Sequence, residues 1–338
     1  MKVVIFLKKI FFFVSFILPY FLIFFKASNR VSIGVFNYWG VIMENKNLTA
    51  LISCFARAYH YKNSINPILK DDIASKILSR EEYDLVSKNM VEGIQFFNAN
   101  FKGNKEKALE WIVNNQLAPS VLGRSIFAET SLQECIKNNC YQYLVFASGY
   151  DTSCYRINNH NLNYFEIDKD EMIEDKIKRL KNSNVDYSFI DFIKCDFQDK
   201  DWIKKLLNSK FDKNKKSFCS LLGISYYLSK SDFNNMLSSI SKVLSLESEI
   251  VFDYPSTKES EETKKNEALA TGANEQMKAK YSYKDIEELL LVNGYEIIKH
   301  LDDKDMTNEY FSSYNRLNPT KRIISPVGVC YCLAKKVR

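Results

Sequence analysis

Residues 146–157 read FASGYDTSCYRI, and the interpretation of the whole chain depends on this stretch. It follows the apolar residues YLV, which are typical of a buried strand, and it has one glycine where nucleotide-binding turns usually have two or three. Gly149 can approach a ligand closely or adopt a positive φ, and Asp151 can cap a following helix. By itself the stretch is either a cofactor-binding turn or an ordinary connection between a strand and a helix.

Short apolar runs alternate with amphipathic helical segments from this stretch to the C-terminus. Strands are predicted at Tyr143–Phe146, Tyr164–Ile167, Tyr187–Lys194, Phe218–Leu222 and Glu249–Tyr254, and two closing strands at Tyr295–His300 and Val327–Lys335. The helical segments between them include KDEMIEDKIKRLK, DWIKKLLN and SKSDFNNMLSSISKVLS. This alternation predicts an α/β protein with a doubly wound sheet, in which crossover helices join parallel strands.

The chain from Thr49 to Pro119 precedes every predicted strand and has helical periodicity. Ser79 followed by Glu82 matches a capping box at the start of one of its helices. The sequence therefore predicts a helical N-terminal layer that covers part of the sheet.

Composition narrows the classes of protein and partner. Glycine (10) and proline (6) are scarce, which argues against a loop-rich or all-β fold. The eight cysteines have no CxxC spacing and the three histidines are scattered, so buried thiols are expected and a metal site is not. Outside residues 1–42 the chain has 42 basic and 41 acidic residues, and this near-neutral balance gives no reason to expect nucleic acid as a partner.

Residues 1–42 form a hydrophobic segment that admits three interpretations. Its apolar run Ile10–Phe25 would be about 24 Å long as a helix, shorter than a bilayer core of about 30 Å, but a membrane anchor stays open. A secretory signal lacks a small-x-small cleavage site. The codons for Trp39 to Met43 are also compatible with a ribosome-binding sequence, so the segment is alternatively translated upstream DNA. In the first and third cases the rest of the chain is expected in the cytoplasm.

Acidic and aromatic residues follow the next two predicted strands. Glu166 and Asp168 stand at the end of the second strand, where a carboxylate can accept hydrogen bonds from the hydroxyls of a ribose. Asp196 and Phe197 follow the third, where they can contact the exocyclic amine and the face of an adenine. Because ligands of open parallel sheets bind beyond the carboxyl ends of the strands, this order favours a nucleotide-like ligand.

Four blocks resemble the motifs of the leucine carboxyl methyltransferase-like family of S-adenosylmethionine (SAM)-dependent methyltransferases, in particular its bacterial O-methyltransferase branch. They are RSIFAETSL (124–132), FASGYDTSCYRI (146–157), FEID (165–168) and LLGISYYL (221–228). The family has similar blocks, RTRFFDD-L, LGAGLDTRAYRL, FEVD and AEGVLMYL. The D-T-x-x-Y-R core is the distinctive element, because an ordinary dinucleotide-binding fold has no reason to carry it.

The resemblance spans the chain from about Thr49 to the C-terminus and implies a class I methyltransferase fold, which is Rossmann-like. Such a fold has a seven-stranded, mostly parallel sheet with one antiparallel strand in its last pair, here with a helical N-terminal layer. We therefore expect a single SAM-dependent methyltransferase domain at 43–338, with a helical cap at 43–123 and the core at 124–338.

The resemblance also implies SAM as the cofactor. The implied binding residues are Arg124 for the SAM carboxylate, Ala147 and Gly149 for the methionine side, Asp168 for the ribose, and Asp196 and Phe197 for the adenine. Asp151, Tyr155 and Arg156 are expected to build the loop rather than to touch the ligand. No catalytic residue and no metal ligand is assigned.

The chain departs from the family pattern at two positions. Ala147 replaces the first glycine of the loop, which adds one methyl group. Leu222 replaces the glutamate of AEG, so any contact made by that carboxylate is in doubt. Tyr226 and Tyr227 lie close by and either offer hydroxyl groups or pack against the base of the next helix.

The expected activity is O-methylation of a carboxylate or another oxygen acceptor on a small molecule. A carboxylate is already ionised at neutral pH, whereas a hydroxyl or amine needs a base, for which His60 or a tyrosine is a weak candidate. Arg57 is either an anchor for an anionic acceptor or a charge on a helix surface. The alternatives are a non-catalytic SAM-binding protein and an NAD(P)-linked Rossmann oxidoreductase, which the single glycine disfavours. The acceptor and the oligomeric state stay open.

Overall fold

A computed structural model describes residues 48–157, 159–199, 201–258 and 278–338. The hypotheses about the segment 1–42 lie outside these residues. So does most of the charge-rich stretch 256–278, which the sequence suggests as a solvated connection or lid. Within the described ranges, no helix combines the length and the apolarity that crossing a membrane requires.

Seven strands form one sheet. They are β1 (Gln142–Phe146), β2 (Asn163–Asp168), β3 (Ile190–Lys194), β4 (Ser217–Leu221), β5 (Glu249–Pro255), β6 (Tyr295–Leu301) and β7 (Val329–Lys336). Their order is β3-β2-β1-β4-β5-β7-β6, and β1 to β5 pair in parallel while β7 is antiparallel to both of its neighbours. The prediction of a seven-stranded, mostly parallel sheet with one antiparallel strand in its last pair is confirmed.

The helices lie in chain order before and between the strands. Those that precede β1 are Leu48–Asn63, Asp72–Ile77, Arg80–Glu92, Ile94–Phe97, Lys105–Ile112 and Ala118–Lys137, with a π-helical turn at Val113–Leu117. Those that follow are Ser153–Arg156, Asp170–Asn182, Trp202–Leu207, Lys230–Ser241, Tyr283–Val292, Asp303–Met306 and Ser312–Leu317, with a 3₁₀ turn at Ser225–Tyr227 and a π-helical turn at Thr307–Phe311. The capping box is confirmed: the Ser79 amide donates to Glu82 Oε2 at 3.0 Å, and the Glu82 amide donates to Ser79 Oγ at 3.2 Å.

The two faces of the sheet bury two separate groups of apolar side chains. In β1, Tyr143 and Val145 face the helices of the N-terminal layer, whereas Leu144 and Phe146 face the opposite group. All five residues of β1 are buried, as expected for a strand covered on both faces. The N-terminal helices therefore cover one face of the sheet, as the sequence predicts. Helix Ala118–Lys137 spans both sides of the expected boundary at 123/124.

Two smaller expectations have different outcomes. β3 starts at Ile190 rather than at Tyr187, because the Ile190 amide donates to the Tyr187 carbonyl and closes a turn before the strand. All eight cysteines are buried free thiols, and Cys330 and Cys332 lie on the same face of β7.

Candidate functional site

Asp168 ties the turn after β1 to the end of β2. The Gly149 amide donates to its Oδ2 at 2.8 Å, and the Lys169 amide donates to its Oδ1 at 2.7 Å. Burial raises the pKa of Asp168, and these two amide donors oppose that effect. Each carboxylate oxygen can accept a second hydrogen bond, so the half-buried side chain keeps acceptor capacity at the carboxyl edge of the sheet.

Glu166, the other acidic residue of FEID, pairs with a lysine inside the protein. It lies two residues before Asp168 on a strand, is fully buried, and its Oε2 is 2.6 Å from the Lys176 ammonium. Both acidic residues fit the sequence pattern, but Asp168 is the one that the structure leaves at the edge.

The turn after β1 has two residues in the left-handed region. The φ values are +50° at Ala147 and +46° at Gly149. An L-residue in that region places its Cβ too close to the following carbonyl oxygen, which explains why the family has a glycine where this chain has Ala147. The presence of Ala147 instead of glycine therefore strains the backbone in addition to adding a methyl group.

Replacing Ala147 with glycine should stabilise the protein by about 0.5 kcal/mol. Relief of the left-handed strain, about 1–2 kcal/mol, exceeds the entropy that glycine adds to the unfolded chain, about 0.5–1 kcal/mol. Urea unfolding of the full chain measures the difference. The control is Ala108→Gly in helix Lys105–Ile112, which should destabilise by about 1 kcal/mol or more. A loss of stability in both variants would contradict the prediction.

Arg124 lies on helix Ala118–Lys137 above the end of β4. Its Nη2 donates to Ser53 Oγ at 3.2 Å, and its Nη1 is 3.8 Å from Asp253 Oδ2. Gly223 follows β4 with φ +70°, and a Cβ there would lie 2.6 Å from the guanidinium. The chain thus holds one guanidinium, with a side chain that is 20% exposed, at the position that the sequence assigns to the SAM carboxylate.

Asp196 and Phe197 follow β3 at the same edge. Asp196 Oδ1 accepts from the Gln198 amide at 3.0 Å, and its Oδ2 is 3.2 Å from the Lys169 ammonium. The Phe197 ring is half-buried and packs edge-on against Trp202, with ring centroids 5.3 Å apart. Because β3 is paired with β2, both residues follow the strand next to the one that ends at Asp168.

The D-T-x-x-Y-R residues form hydrogen bonds, ion pairs and ring contacts with other parts of the protein. Asp151 Oδ1 accepts from the Ser153 amide at 2.7 Å, and Tyr155 covers Lys176 with its ring, 5.6 Å from the ammonium. The other two members, Thr152 and Arg156, join a buried cluster of ionised side chains. The expectation that these residues build the loop agrees with the structure.

The buried cluster centres on Asp71, just before helix Asp72–Ile77. Its Oδ2 accepts from Arg57 Nε at 2.8 Å and from Thr152 Oγ1 at 2.6 Å, and its Oδ1 is 3.3 Å from Arg156 Nε. Arg156 also makes a bidentate ion pair with Glu129. Two buried groups, Arg57 and Asp71, and two largely buried ones, Arg156 and Glu129, thus fix the turn after β1 against the helical layer.

Two proposals about the acceptor pocket are wrong. Arg57 is neither an anchor for an anion nor a surface charge, because it is buried, pairs with Asp71, and donates to the Tyr150 carbonyl. His60 is not available as a base. Its Nε2 accepts from the Ile68 amide at 2.9 Å, its Nδ1 lies 3.1 Å from Ser64 Oγ, and burial lowers its pKa to about 4.

The sequence interpretation also missed one charged residue at the edge. Asp253 is near the end of β5, and its Oδ1 accepts from the Gly223 amide at 2.6 Å. The rule that ligands lie beyond strand ends would have indicated it, since VFDY ends the fifth predicted strand. Tyr226 is buried nearby, and burial, followed by the charge of Asp253, raises its pKa well above its usual range.

Comparison with known proteins decides the family. The model of the leucine carboxyl methyltransferase family matches residues 50–241, more than half of the chain. The chain belongs to this family. It is 32% identical over 283 residues to YktD of Bacillus subtilis (strain 168), a protein named provisionally as a SAM-dependent methyltransferase, and the match covers 80% of this chain and 93% of YktD.

Two solved structures share the fold of this leucine carboxyl methyltransferase family member. A DUF574 family protein of Streptomyces avermitilis MA-4680 has a TM-score of 0.51 and 11% identity, with 70% of this chain and 92% of that one covered. A protein of Thermobifida fusca YX, described provisionally as a methyltransferase, has a TM-score of 0.50 and 13% identity, with 71% and 90% covered. The family member described here is a SAM-dependent methyltransferase with SAM as its cofactor, and the NAD(P)-linked alternative is not supported.

The edge of this methyltransferase has features that fit SAM. Asp168 keeps acceptor capacity for hydroxyl groups, and Phe197 offers an aromatic face. Asp253 Oδ2 is buried without a donor in hydrogen-bond geometry among the described residues, although the neighbouring Tyr226 interacts with this carboxylate. Arg124 stands 3.8 Å from that oxygen.

Proposed function

We propose that this methyltransferase transfers the methyl group of SAM to an oxygen atom of a small molecule, with a carboxylate as the acceptor. The proposal rests on one observation: both ring nitrogens of His60, the histidine that the sequence suggested as a base, already have hydrogen-bond partners in the protein. With both ring nitrogens paired and a pKa of about 4, it cannot take a proton from a hydroxyl or amine.

The acidity of the acceptor decides whether a base is needed. A carboxylate is ionised at neutral pH and attacks without losing a proton. Tyr226 is not a suitable base either, because its raised pKa keeps it protonated. The unavailability of both His60 and Tyr226 as bases therefore supports an acceptor that arrives already charged, in agreement with the carboxyl specificity in the name of the family.

We propose that SAM binds along the edge in the order that the resemblance implies. Arg124 pairs with the SAM carboxylate, a charge-assisted contact. Ala147 and Gly149 let the backbone approach the methionine side. Asp168 accepts hydrogen bonds from the ribose, and Asp196 with Phe197 brackets the adenine.

The chain contributes alignment and exclusion of water rather than acid–base chemistry. Bound SAM supplies a methyl group that its positive sulfur already activates. Arg124 and Asp168 hold the donor on the two sides of its sulfur, at the amino-acid carboxylate and at the ribose, so that the methyl group has one orientation for in-line attack. We propose that the helical layer over this edge forms the walls of the acceptor pocket and keeps water out.

We further propose that the protein acts in the cytoplasm. Its support is the set of eight buried, unpaired thiols, which is typical of a reducing compartment. Residues 1–42, if they are an anchor, would attach the same catalytic part to a membrane.

The test is to incubate the full chain with SAM labelled in its methyl group and with the small-molecule fraction of a cell extract. A carboxylate acceptor gives a methyl ester, which mild alkali hydrolyses to labelled methanol, whereas methyl ethers and methylamines survive. Alkali-stable label would rule out the carboxylate. SAM binding with no labelled product would favour the non-catalytic SAM-binding alternative.

Replacing Asp168 with alanine should weaken SAM binding tenfold or more, about 1.4 kcal/mol, because the ribose loses its acceptor and the Gly149 amide loses its anchor. Calorimetric titration with SAM measures this. The control is Asp186→Ala, which removes an exposed carboxylate from the segment before β3, at the opposite edge, and should leave the affinity unchanged. Unchanged affinity in Asp168→Ala would contradict the placement of the ribose.

A further inference from the structure

We infer that Asp253 binds the α-ammonium group of SAM, in place of the glutamate that the family carries at the position of Leu222. The inference rests on the proposed binding of SAM at this edge and adds a residue that the family motifs do not include. It explains how the chain tolerates a leucine at a position where a carboxylate is otherwise expected.

The contacts of Asp253 leave one oxygen unpaired. Its Oδ1 accepts from the Gly223 amide at 2.6 Å, and its carbonyl accepts from Ser225 Oγ at 2.6 Å, so the residue is held in place. The residue is fully buried and its carboxylate interacts with the neighbouring Tyr226 side chain, but Oδ2 has no donor in hydrogen-bond geometry among the described residues. A buried carboxylate oxygen without a donor is costly, so a cationic donor in a ligand would be favourable here.

The register of the sheet relates Asp253 to Leu222. Leu221 on β4 is paired with Phe252 on β5, and both side chains pack on the same face of the sheet. The residue after Leu221 is Leu222, just beyond β4, and the residue after Phe252 is Asp253. Their side chains lie on the opposite face, towards helix Ala118–Lys137 and Arg124. Since neighbouring strands lie about 4.8 Å apart, Asp253 places a carboxylate one strand away from the position of the family glutamate.

Arg124 and Asp253 together match the charges of an amino acid. Their nearest charged atoms, Nη1 and Oδ2, are 3.8 Å apart, too far for a hydrogen bond. The α-carbon end of SAM carries a carboxylate and an ammonium group. Between this pair, the carboxylate would meet the guanidinium and the ammonium would meet Asp253 Oδ2, so that each protein charge gains a short partner.

The experiment compares two ligands that differ only in the ammonium group: S-adenosylhomocysteine and its analogue without the α-amino group. Calorimetric titrations use the full chain and its Asp253→Asn variant. Asparagine keeps the shape and one oxygen for the Gly223 amide, and thermal unfolding checks that the variant is folded. We expect Asp253→Asn to weaken binding of S-adenosylhomocysteine at least tenfold and to change binding of the deaminated analogue less than twofold.

A second variant tests whether a carboxylate at position 222 can replace the one at position 253. Adding Leu222→Glu to Asp253→Asn restores a carboxylate at the family position and should recover most of the lost affinity for S-adenosylhomocysteine. Equal losses of affinity for both ligands in Asp253→Asn would overturn the inference, because Asp253 would then act only through the Gly223 loop. If the original chain binds neither ligand, the proposed SAM site itself is wrong. That result differs from the one in which SAM binds at this site but Asp253 does not contact its ammonium group.

Discussion

Replacing Asp71 with asparagine is expected to lower the free energy of unfolding by about 3–5 kcal/mol. The substitution keeps the size of the side chain and removes its charge. Arg57 is buried, the Arg156 side chain is only 10% exposed, and both pair with this carboxylate, so the variant leaves an uncompensated positive charge inside the protein. The Asp71 side chain is 0% exposed, which allows no screening by solvent.

The adjacent residue provides a matched control. Asp72 pairs with Lys76 four residues on, but the two side chains are 43% and 50% exposed. Such a pair contributes little, so Asp72→Asn should change stability by less than about 0.5 kcal/mol. Urea unfolding of both variants at pH 7 measures the difference, and equal effects in the two variants would show that the Asp71 cluster does not hold the fold.

The Asp71 cluster links stability to the site. Thr152 and the Tyr150 carbonyl both bind members of the cluster, and they lie three residues and one residue after Gly149 in the turn that follows β1. Asp71→Asn should therefore weaken SAM binding as well, although Asp71 is not among the residues proposed to contact SAM.

Replacing Lys176 with methionine is the second change with a large expected effect, again about 3–5 kcal/mol. It leaves the fully buried Glu166 without a cation. Burial raises the pKa of Glu166, and the charge of Lys176 opposes this, so the variant raises the pKa further. An acid with a raised pKa binds more protons in the folded state than in the unfolded state, so the variant should lose stability as pH rises above the usual pKa of a glutamate, about 4.3.

A double-mutant cycle separates the interaction energy of the Lys176–Glu166 pair from the effects of the two single substitutions. Lys176→Met with Glu166→Leu removes both charges and should recover most of the lost stability. Lys178→Met, an exposed position on the same helix, is the control and should be close to neutral. A double variant as unstable as Lys176→Met alone would mean that packing, and not the unpaired charge, causes the loss.

Most of the fold could be predicted because its signals are local. Apolar runs of strand length alternate with helices of 3.6-residue periodicity, and the strand ends found in this way differ from the observed ones by at most two residues, except at the start of β3. The resemblance supplied the antiparallel strand, and the strand-end rule brought Gly149, Asp168, Asp196 and Phe197 to one edge. The roles of single residues were harder to predict. Arg57 and His60 lie on a helix, and helical periodicity does not show which of its polar side chains form hydrogen bonds or ion pairs in the interior.

The sequence alone determined the fold class, the family and the strand ends that form the cofactor edge, because each depends on residues that are close together along the chain. Tertiary structure decided which charges are structural and which are left for a ligand. Asp71 meets Thr152 across 81 positions, and Arg124 meets Asp253 from a different element. Asp71 and Asp253 have the same carboxyl group, yet the first binds a buried guanidinium and is structural, whereas the second keeps an oxygen for a ligand. Only the packing around each residue determines this difference.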